Sequence, residues 1–334
     1  MISPDLEKLI GRLPFDPDAL RDRYAAERDR RIRHDGNDQY IEVAADFSRY
    51  VDDPYVEPGF IRAPLIDECD ITIVGAGFGG LLLGARMRQL GMKRIRLIER
   101  GGDVGGTWYW NRYPGAMCDI ESYVYLPLLE ELGYIPKHRY SYAPEIFEHS
   151  KAISRHFNLY ELACFQTAVT RMTWSETDRM WTIETDRGNW MRSRYVAQWA
   201  NGLRTLHGLQ SHGFPNCFFI GITQTAFTVN IPHTLNEQAK HVAYILGEAR
   251  RRGAVVVEAT VEGEQGWVDE MQSKAHLGAK FYAECTPGYY NNEGKGPSPH
   301  GYFAAGYGGG SLRFFEIIDE WRKDGNLEGV ELRW

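Results

Sequence analysis

The sequence has no apolar run near the roughly 18 residues that span a bilayer. Its opening, MISPDLEKLIGRL, has neither the basic start nor the continuous apolar centre of a signal peptide. These shortages lead to the expectation of a cytoplasmic chain with no membrane partner. Cysteine is scarce as well. Cys69, Cys118, Cys164, Cys217 and Cys285 are an odd, widely scattered set with no C-x-x-C pair, which argues against a disulfide framework, structural zinc or dithiol exchange. Buried free thiols are expected. No stripe of one charge sign is present either: the formal net charge is -7 over 334 residues, with acidic and basic residues interleaved. That pattern offers no footprint for nucleic acid or an anionic membrane, and leaves small molecules as partners. His207, His212 and His233 lack matching carboxylate or cysteine spacing, so no metal site is expected.

What is present is a globular pattern with 43% hydrophobic residues, enough to bury one large core or one core plus a satellite. Residues 1–66 read as a polar helical extension and linker, with Asp16 and Pro17 starting a helix through DALRDRYAAERDRRIRHDG and DPYVEPGFIRAPLIDE running extended after it. From Asp70 the pattern is strand, glycine turn, helix, strand: Ile71 to Val74, Leu81 to Leu90 closed by Gly91, then RIRLIER. APEIFEHSKAISRHF is helix-sized. QTAVTRMTW, WTIETD and RYVAQWA form an antiparallel meander turning at Asp186-Arg187-Gly188-Asn189. A strand CFFIG, a helix from about His233 to Arg252, the strand AVVVEAT, a helix EQGWVDEMQSKA, a loop from Pro287 to Gly310 and an amphipathic FFEIIDEW complete the chain. The expected fold is α/β, a Rossmann-like domain with a mostly parallel sheet, a small antiparallel β-meander and peripheral helices. Its first part falls at 67–202, its return strand and helix at 203–280, and a C-terminal loop and helix at 281–334.

Gly75-Ala76-Gly77-Phe78-Gly79-Gly80 fits G-x-G-x-x-G between a strand and a helix. The first glycine permits the tight turn, the second lets the backbone approach a pyrophosphate, and the third lets helix and strand pack closely. The helix N-terminus then offers unpaired N–H groups to phosphate. Glu99, ending the second strand, is placed to accept hydrogen bonds from the adenosine ribose, which disfavours a 2'-phosphate and leaves FAD or NAD. Phe78 and Arg100 join Gly75, Gly77, Gly79, Gly80 and Glu99 as candidate cofactor-binding residues.

The next segment, GGDVGGTWYWNRYPGAMCDIESYVYL, separates these two cofactors. With it the chain resembles the flavin domain of type I Baeyer-Villiger monooxygenases, FAD- and NADPH-dependent enzymes that insert oxygen beside a ketone carbonyl. The resemblance runs through residues 1–202 and again from Arg204 to Trp334, including HGLQSHGFPNCFFIGITQTAFTVNIPH and FYAECTPGYYNNEGK. It implies FAD as cofactor, with Gly106, Thr107 and Trp108 on the flavin side of a cleft and Tyr125 along the cofactor. It implies that Asp119, the one candidate catalytic residue, sits near the isoalloxazine ring. Val169 would give adenine a backbone contact, Gln224 and Thr225 would approach the flavin, and the helix after them would aim its positive end at the ring. Trp110 and Tyr113 fit either the cleft or core packing.

Family members normally insert a second dinucleotide domain, which carries its own glycine fingerprint for NADPH and an arginine that stabilises the oxygenated flavin. Here no second strand, glycine turn and helix unit follows Gly202, and F-x-G-x-x-x-H-x-x-x-W is absent. Gly306 to Gly310 is expected to open no helix at the right spacing. Ala200-Asn201-Gly202 reads as the outgoing hinge and Arg204-Thr205-Leu206-His207 as the returning one, joined almost directly. Gln198, polar within YVAQWA, fits an adjusted surface. The chain therefore resembles an engineered minimal flavoprotein that takes a small-molecule substrate and an external reductant. It reads as an oxidoreductase reduced by light, a chemical donor or a separate reductase. A FAD-binding scaffold without turnover and a residual ketone monooxygenase remain as alternatives.

Overall fold

The first helix, α1 (Pro17–Arg31), begins where Asp16 accepts the N–H groups of Asp18 and Ala19 and Pro17 supplies a preset φ. The computed structural model describes residues 14–41, 45–198, 204–275, 284–294 and 306–334, and α1 buries none of its side chains. Its interleaved charges lie on a solvated surface.

The core begins at β1 (Ile66–Val74), followed by α2 (Phe78–Gln89), β2 (Ile95–Ile98), α3 (Ala143–His156) and the short β3 (Ala163–Cys164). The meander follows as β4 (Val169–Ser175), β5 (Met180–Thr185) and β6 (Trp190–Gln198), and then comes β7 (Cys217–Phe219). The sheet order is β3-β2-β1-β6-β5-β4, with β7 also on β6. β6 decides this topology. One edge runs parallel to β1 from Ile66 opposite Trp190 to Val74 opposite Gln198. On its other edge, Trp190 to Ser193 pair antiparallel with β5, while Val196 to Gln198 pair parallel with β7. A parallel sheet thus continues through the point where the meander departs.

Helix α2 buries Leu81, Leu82, Leu83, Ala85 and Met87 and reaches the surface only toward its end, at Arg86, Arg88 and Gln89, because most of it is enclosed. Burying each leucine contributes about 1.5–3 kcal/mol. It packs on α4 (Ile231–Arg251), whose Leu235, Ala239, Val242, Leu246 and Ala249 are buried. After α4 come β8 (Val256–Ala259), α5 (Val261–Lys274), α6 (Ser311–Asp324) and β9 (Val330–Arg333); β8 and β9 pair antiparallel as a separate ribbon.

Several expectations shift. Helix α2 starts at Phe78 and α4 at Ile231, each a few residues early, since the glycine turn and the Asn230 N-cap lead straight into helical backbone. Gly306 to Gly310 does lead into a helix: Gly310, at φ +92, is the N-cap of α6, a backbone position that suits glycine. Four cysteines are buried, but Cys285 is exposed, since it lies on a peripheral segment. Strand β9 had no reading in the sequence. The outgoing hinge Ala200-Asn201-Gly202 lies outside the described residues. Among those described, no helix is long and apolar enough to cross a membrane.

Candidate dinucleotide cleft

Where β1 ends, Gly75 adopts φ +97 and donates to the Ile98 carbonyl at 2.7 Å, turning the chain over the end of β2. A Cβ on Gly80 would lie 1.9 Å from the Gly75 carbonyl oxygen, so the first turn of α2 sits directly on the strand end. Gly77 lies against Gly106, itself at φ +52, and a Cβ on Gly106 would approach the Gly77 Cα to 2.8 Å. The Gly105 N–H donates to the Ala76 carbonyl at 2.9 Å. Two glycine turns therefore touch backbone to backbone. Gly77 caps α2 without a side-chain hydrogen bond, so the leading N–H groups are left for an anion.

Glu99 is buried, and its carboxylate accepts the Ala76 N–H at 2.6 Å and the Gly101 N–H at 2.7 Å. These donors offset the burial of its charge and tie the glycine turn to the end of β2. Its remaining lone pairs can still receive ribose hydroxyls.

A hollow of about 350 Å³ is lined by Gly75, Gly77, Phe78, Gly79, Gly80, Glu99, Gly106, Thr107, Trp108 and Tyr125, together with Trp110 and Ile220. Ile231, Pro232 and Leu235 bring the N-terminal turn of α4 to the same hollow. A second hollow of about 470 Å³ shares Val74, Gly75 and Glu99 with the first and extends past Arg100 and Val169. Val74, Gly75 and Glu99 thus stand between the two hollows and line both. The pair suits an extended dinucleotide: a glycine-lined middle for pyrophosphate, a carboxylate for ribose, and a recess at each end.

Trp108 donates from Nε1 to the Tyr125 hydroxyl at 3.0 Å, and the two rings meet edge to face at 5.9 Å. Burial, above all, pushes the Tyr125 phenol up to about 12, so it keeps its proton at neutral pH. Asp119 is exposed and does not line either hollow; its charge adds to the rise at Tyr125. Gln224 and Thr225 are fully buried and line neither hollow. Gln224 Oε1 accepts from the Thr205 N–H at 3.0 Å and from Thr205 Oγ1 at 2.6 Å, and its carbonyl accepts from Trp267 Nε1 at 3.1 Å. Thr225 Oγ1 donates to the Gly221 carbonyl at 3.2 Å. Both side chains brace the loop after β7 against the returning segment. Arg100 is exposed and donates to the Val51 carbonyl at 3.1 Å.

Sequence reasoning missed the contribution of the linker. The Tyr109 hydroxyl donates to Asp53 Oδ2 at 2.5 Å, and Arg112 stacks over Tyr55 at 3.9 Å, Tyr109 at 4.4 Å and Phe147 at 4.7 Å. Asp53-Pro54-Tyr55 reads in sequence as the start of an extended linker, and nothing local shows that it clasps the aromatic segment. Trp110 forms part of the cleft, and Tyr113 is 64% exposed, so neither is a core residue.

Residues 73–161 match the NAD(P)-binding Rossmann-like domain family. A Baeyer-Villiger monooxygenase of Streptomyces coelicolor is 50% identical over 177 residues, covering 53% of this chain and 29% of that protein. Baeyer-Villiger monooxygenase 4 of Dietzia sp. is 47% identical over 204 residues, covering 59% of this chain and 32% of that protein. The neopentalenolactone D synthase of Streptomyces avermitilis aligns at 27% identity over 592 positions, covering 95% of this chain and 99% of that protein. Among solved structures, the polycyclic ketone monooxygenase of Thermothelomyces thermophila superposes with a TM-score of 0.83 at 18% identity, covering 94% of this chain and 98% of that one. A steroid monooxygenase solved with NADP superposes with a TM-score of 0.67 at 15% identity, covering 80% of this chain and 99% of that one.

Proposed function

We propose that this chain, which is similar to Baeyer-Villiger monooxygenases over more than half of its length, is a FAD-binding oxidoreductase of that lineage without a nicotinamide domain, reduced by light, a chemical donor or a separate reductase. The observation that carries FAD is the pair of hollows on either side of the glycine turn, with Gly75 and Glu99 lining both. A second observation supports the missing domain: the alignment to the synthase needs 592 positions to reach both ends of that protein, against 334 residues here, so the shortfall is internal. On this reading the excision falls between the hinges Ala200-Asn201-Gly202 and Arg204-Thr205-Leu206-His207, with the units 1–66, 67–202, 203–280 and 281–334 on either side of it.

When bound, FAD supplies the redox chemistry. The chain binds, orients and shields it. The first turn of α2 and the backbone of Gly75 to Gly80 take the pyrophosphate; Glu99 takes the ribose hydroxyls and repels a 2'-phosphate. Val169 and Arg100 wall the adenine recess, while Gly106, Thr107, Trp108 and Tyr125 wall the flavin recess. Ile231, Pro232 and Leu235 carry the positive end of α4 to that recess, where negative charge on the ring is favoured. Asp119, whose charge reaches Tyr125, is the one candidate to act on a substrate. The partners are a small-molecule substrate and an external reductant.

The test is anaerobic mixing of FAD-loaded protein with NADPH while the flavin absorption band is followed. The band is expected to persist with NADPH and to bleach with dithionite, or with light and a sacrificial donor. Rapid bleaching by NADPH would sink this reading, since it requires a surviving nicotinamide site.

A further inference from the structure

A short ladder of aromatic rings leads from the cleft wall to a carboxylate. Trp110 lines the cleft and is 37% exposed. Its ring meets Tyr109 at 5.0 Å between centroids, with the planes at 88°. Tyr109 is buried, and its hydroxyl donates to Asp53 Oδ2 at 2.5 Å. The Gly102 N–H donates at 2.9 Å to both oxygens of that pair, fixing phenol and carboxylate together. Arg112 lies over the Tyr109 ring at 4.4 Å.

This arrangement has a specific chemical capacity. Removing an electron from a phenol makes its O–H strongly acidic, so oxidation is easiest where a base already holds the proton. Asp53 is such a base, at hydrogen-bond distance and held by backbone. The Arg112 charge opposes a cation left on the ring, which favours release of the proton together with the electron. Burial keeps water from the oxidised ring. Anchoring the linker alone needs the hydrogen bond but not the edge contact that continues to the cleft.

Resting on the reading that FAD occupies this cleft, we propose that Tyr109 is an internal one-electron donor to the light-excited flavin, with Trp110 as the relay and Asp53 as the proton acceptor. One electron leaves the Tyr109 phenol, crosses the Trp110 indole and enters the excited isoalloxazine ring. The phenolic O–H bond breaks, and its proton forms an O–H bond on Asp53. Tyr109 is left as a neutral phenoxyl radical, and Trp110 is unchanged. Light supplies the driving energy. Return of the electron and the proton restores every group, whereas a sacrificial donor that reduces Tyr109 first leaves the electron on the flavin.

The experiment illuminates frozen, gel-filtered FAD-loaded protein without added donor and reads it by electron paramagnetic resonance, with ordinary and with ring-deuterated tyrosine. A radical signal that narrows on deuteration is expected, and Tyr109→Phe is expected to lose it. Asp53→Asn is expected to lower the yield and to abolish its dependence on heavy water. If Tyr109→Phe fails to fold or to hold FAD, Trp110→Leu at its partly exposed site decides, with loss of the signal expected. An undiminished signal in whichever of these two variants folds overturns the relay, as does wild-type protein that holds FAD and gives no deuterium-sensitive radical. A chain that retains no FAD after gel filtration overturns instead the reading beneath it.

Discussion

At the scale of single residues, the cleft depends on atoms that are absent as much as on those present. Gly80→Ala would drive a Cβ to 1.9 Å from a backbone carbonyl that has no flexible end to yield. The expected outcome is a loss of about 1–3 kcal/mol or more in stability, with loss of FAD, checked by thermal melting and by the ratio of flavin to protein absorption. Glu99 tests a different property. Glu99→Gln keeps the volume but turns an NH2 group toward one of two backbone N–H donors, the one at Ala76 or the one at Gly101. An unpaired buried donor costs about 1–3 kcal/mol, and FAD retention should fall alongside stability. A Gln variant that melts and binds like the wild type would show that the carboxylate is dispensable. The glycine spacing and Glu99 were legible as a motif, because strand, turn and helix are local. The partnership of Asp53 with Tyr109 and Arg112 was not, because it joins residues far apart in the chain, and only docking of the linker on the aromatic segment brings them together.

At the scale of elements, the returning segment is held by a buried aromatic knot. His207, at φ +54, packs edge-on to Trp267 of α5 at 5.2 Å and Trp321 of α6 at 5.5 Å, and its Nδ1 lies 3.4 Å from Nε2 of His241 on α4. Burial lowers the His207 imidazole to about 4 and holds His241 well below its ordinary value, with the Arg322 charge lowering His241 further. The charged groups at this knot are Arg322 and its ion-pair partners Glu237 and Asp319. Both imidazoles are neutral when folded, while the unfolded chain binds protons at about pH 6.5. Stability from them is complete above that pH and falls as pH drops from about 6.5 toward 4. For His207 the loss is on the order of 3 kcal/mol by pH 4. Urea midpoints measured between pH 7 and pH 5 should fall in the wild type, and His207→Phe should flatten the slope; equal slopes would refute this account. The sequence carried no sign of this role for His207, since no periodicity marks a lone histidine as the hub of three helices.

At the scale of the whole molecule, the open side of the cleft carries apolar residues in water. Tyr123 is 58% exposed, Val124 56%, Phe227 47% and Val229 75%, and the Asn230 Nδ2 bond to the Val124 carbonyl at 2.7 Å brings the two segments together. Exposed apolar side chains gathered on two adjoining segments favour self-association. Val124→Ser with Val229→Ser is expected to raise the concentration at which the protein begins to aggregate, followed by light scattering, without lowering bound FAD. An unchanged onset would place the association elsewhere.

The sequence by itself determined the α/β class, the parallel β1-α2-β2 unit, the meander and the glycine fingerprint, because each rests on periodicity or turn chemistry within a few neighbouring residues. It also carried the family resemblance, through one long aromatic motif. Only the tertiary structure decided that β6 serves β1, β5 and β7 at once, that β9 completes a ribbon with β8, and that Gln224 and Thr225 are spent on hydrogen bonds within the protein while Asp119 stands outside the hollows. The physical reason is the same in each case. Pairing across a sheet and burial in a shared core depend on which distant segments meet, and no local pattern encodes that choice.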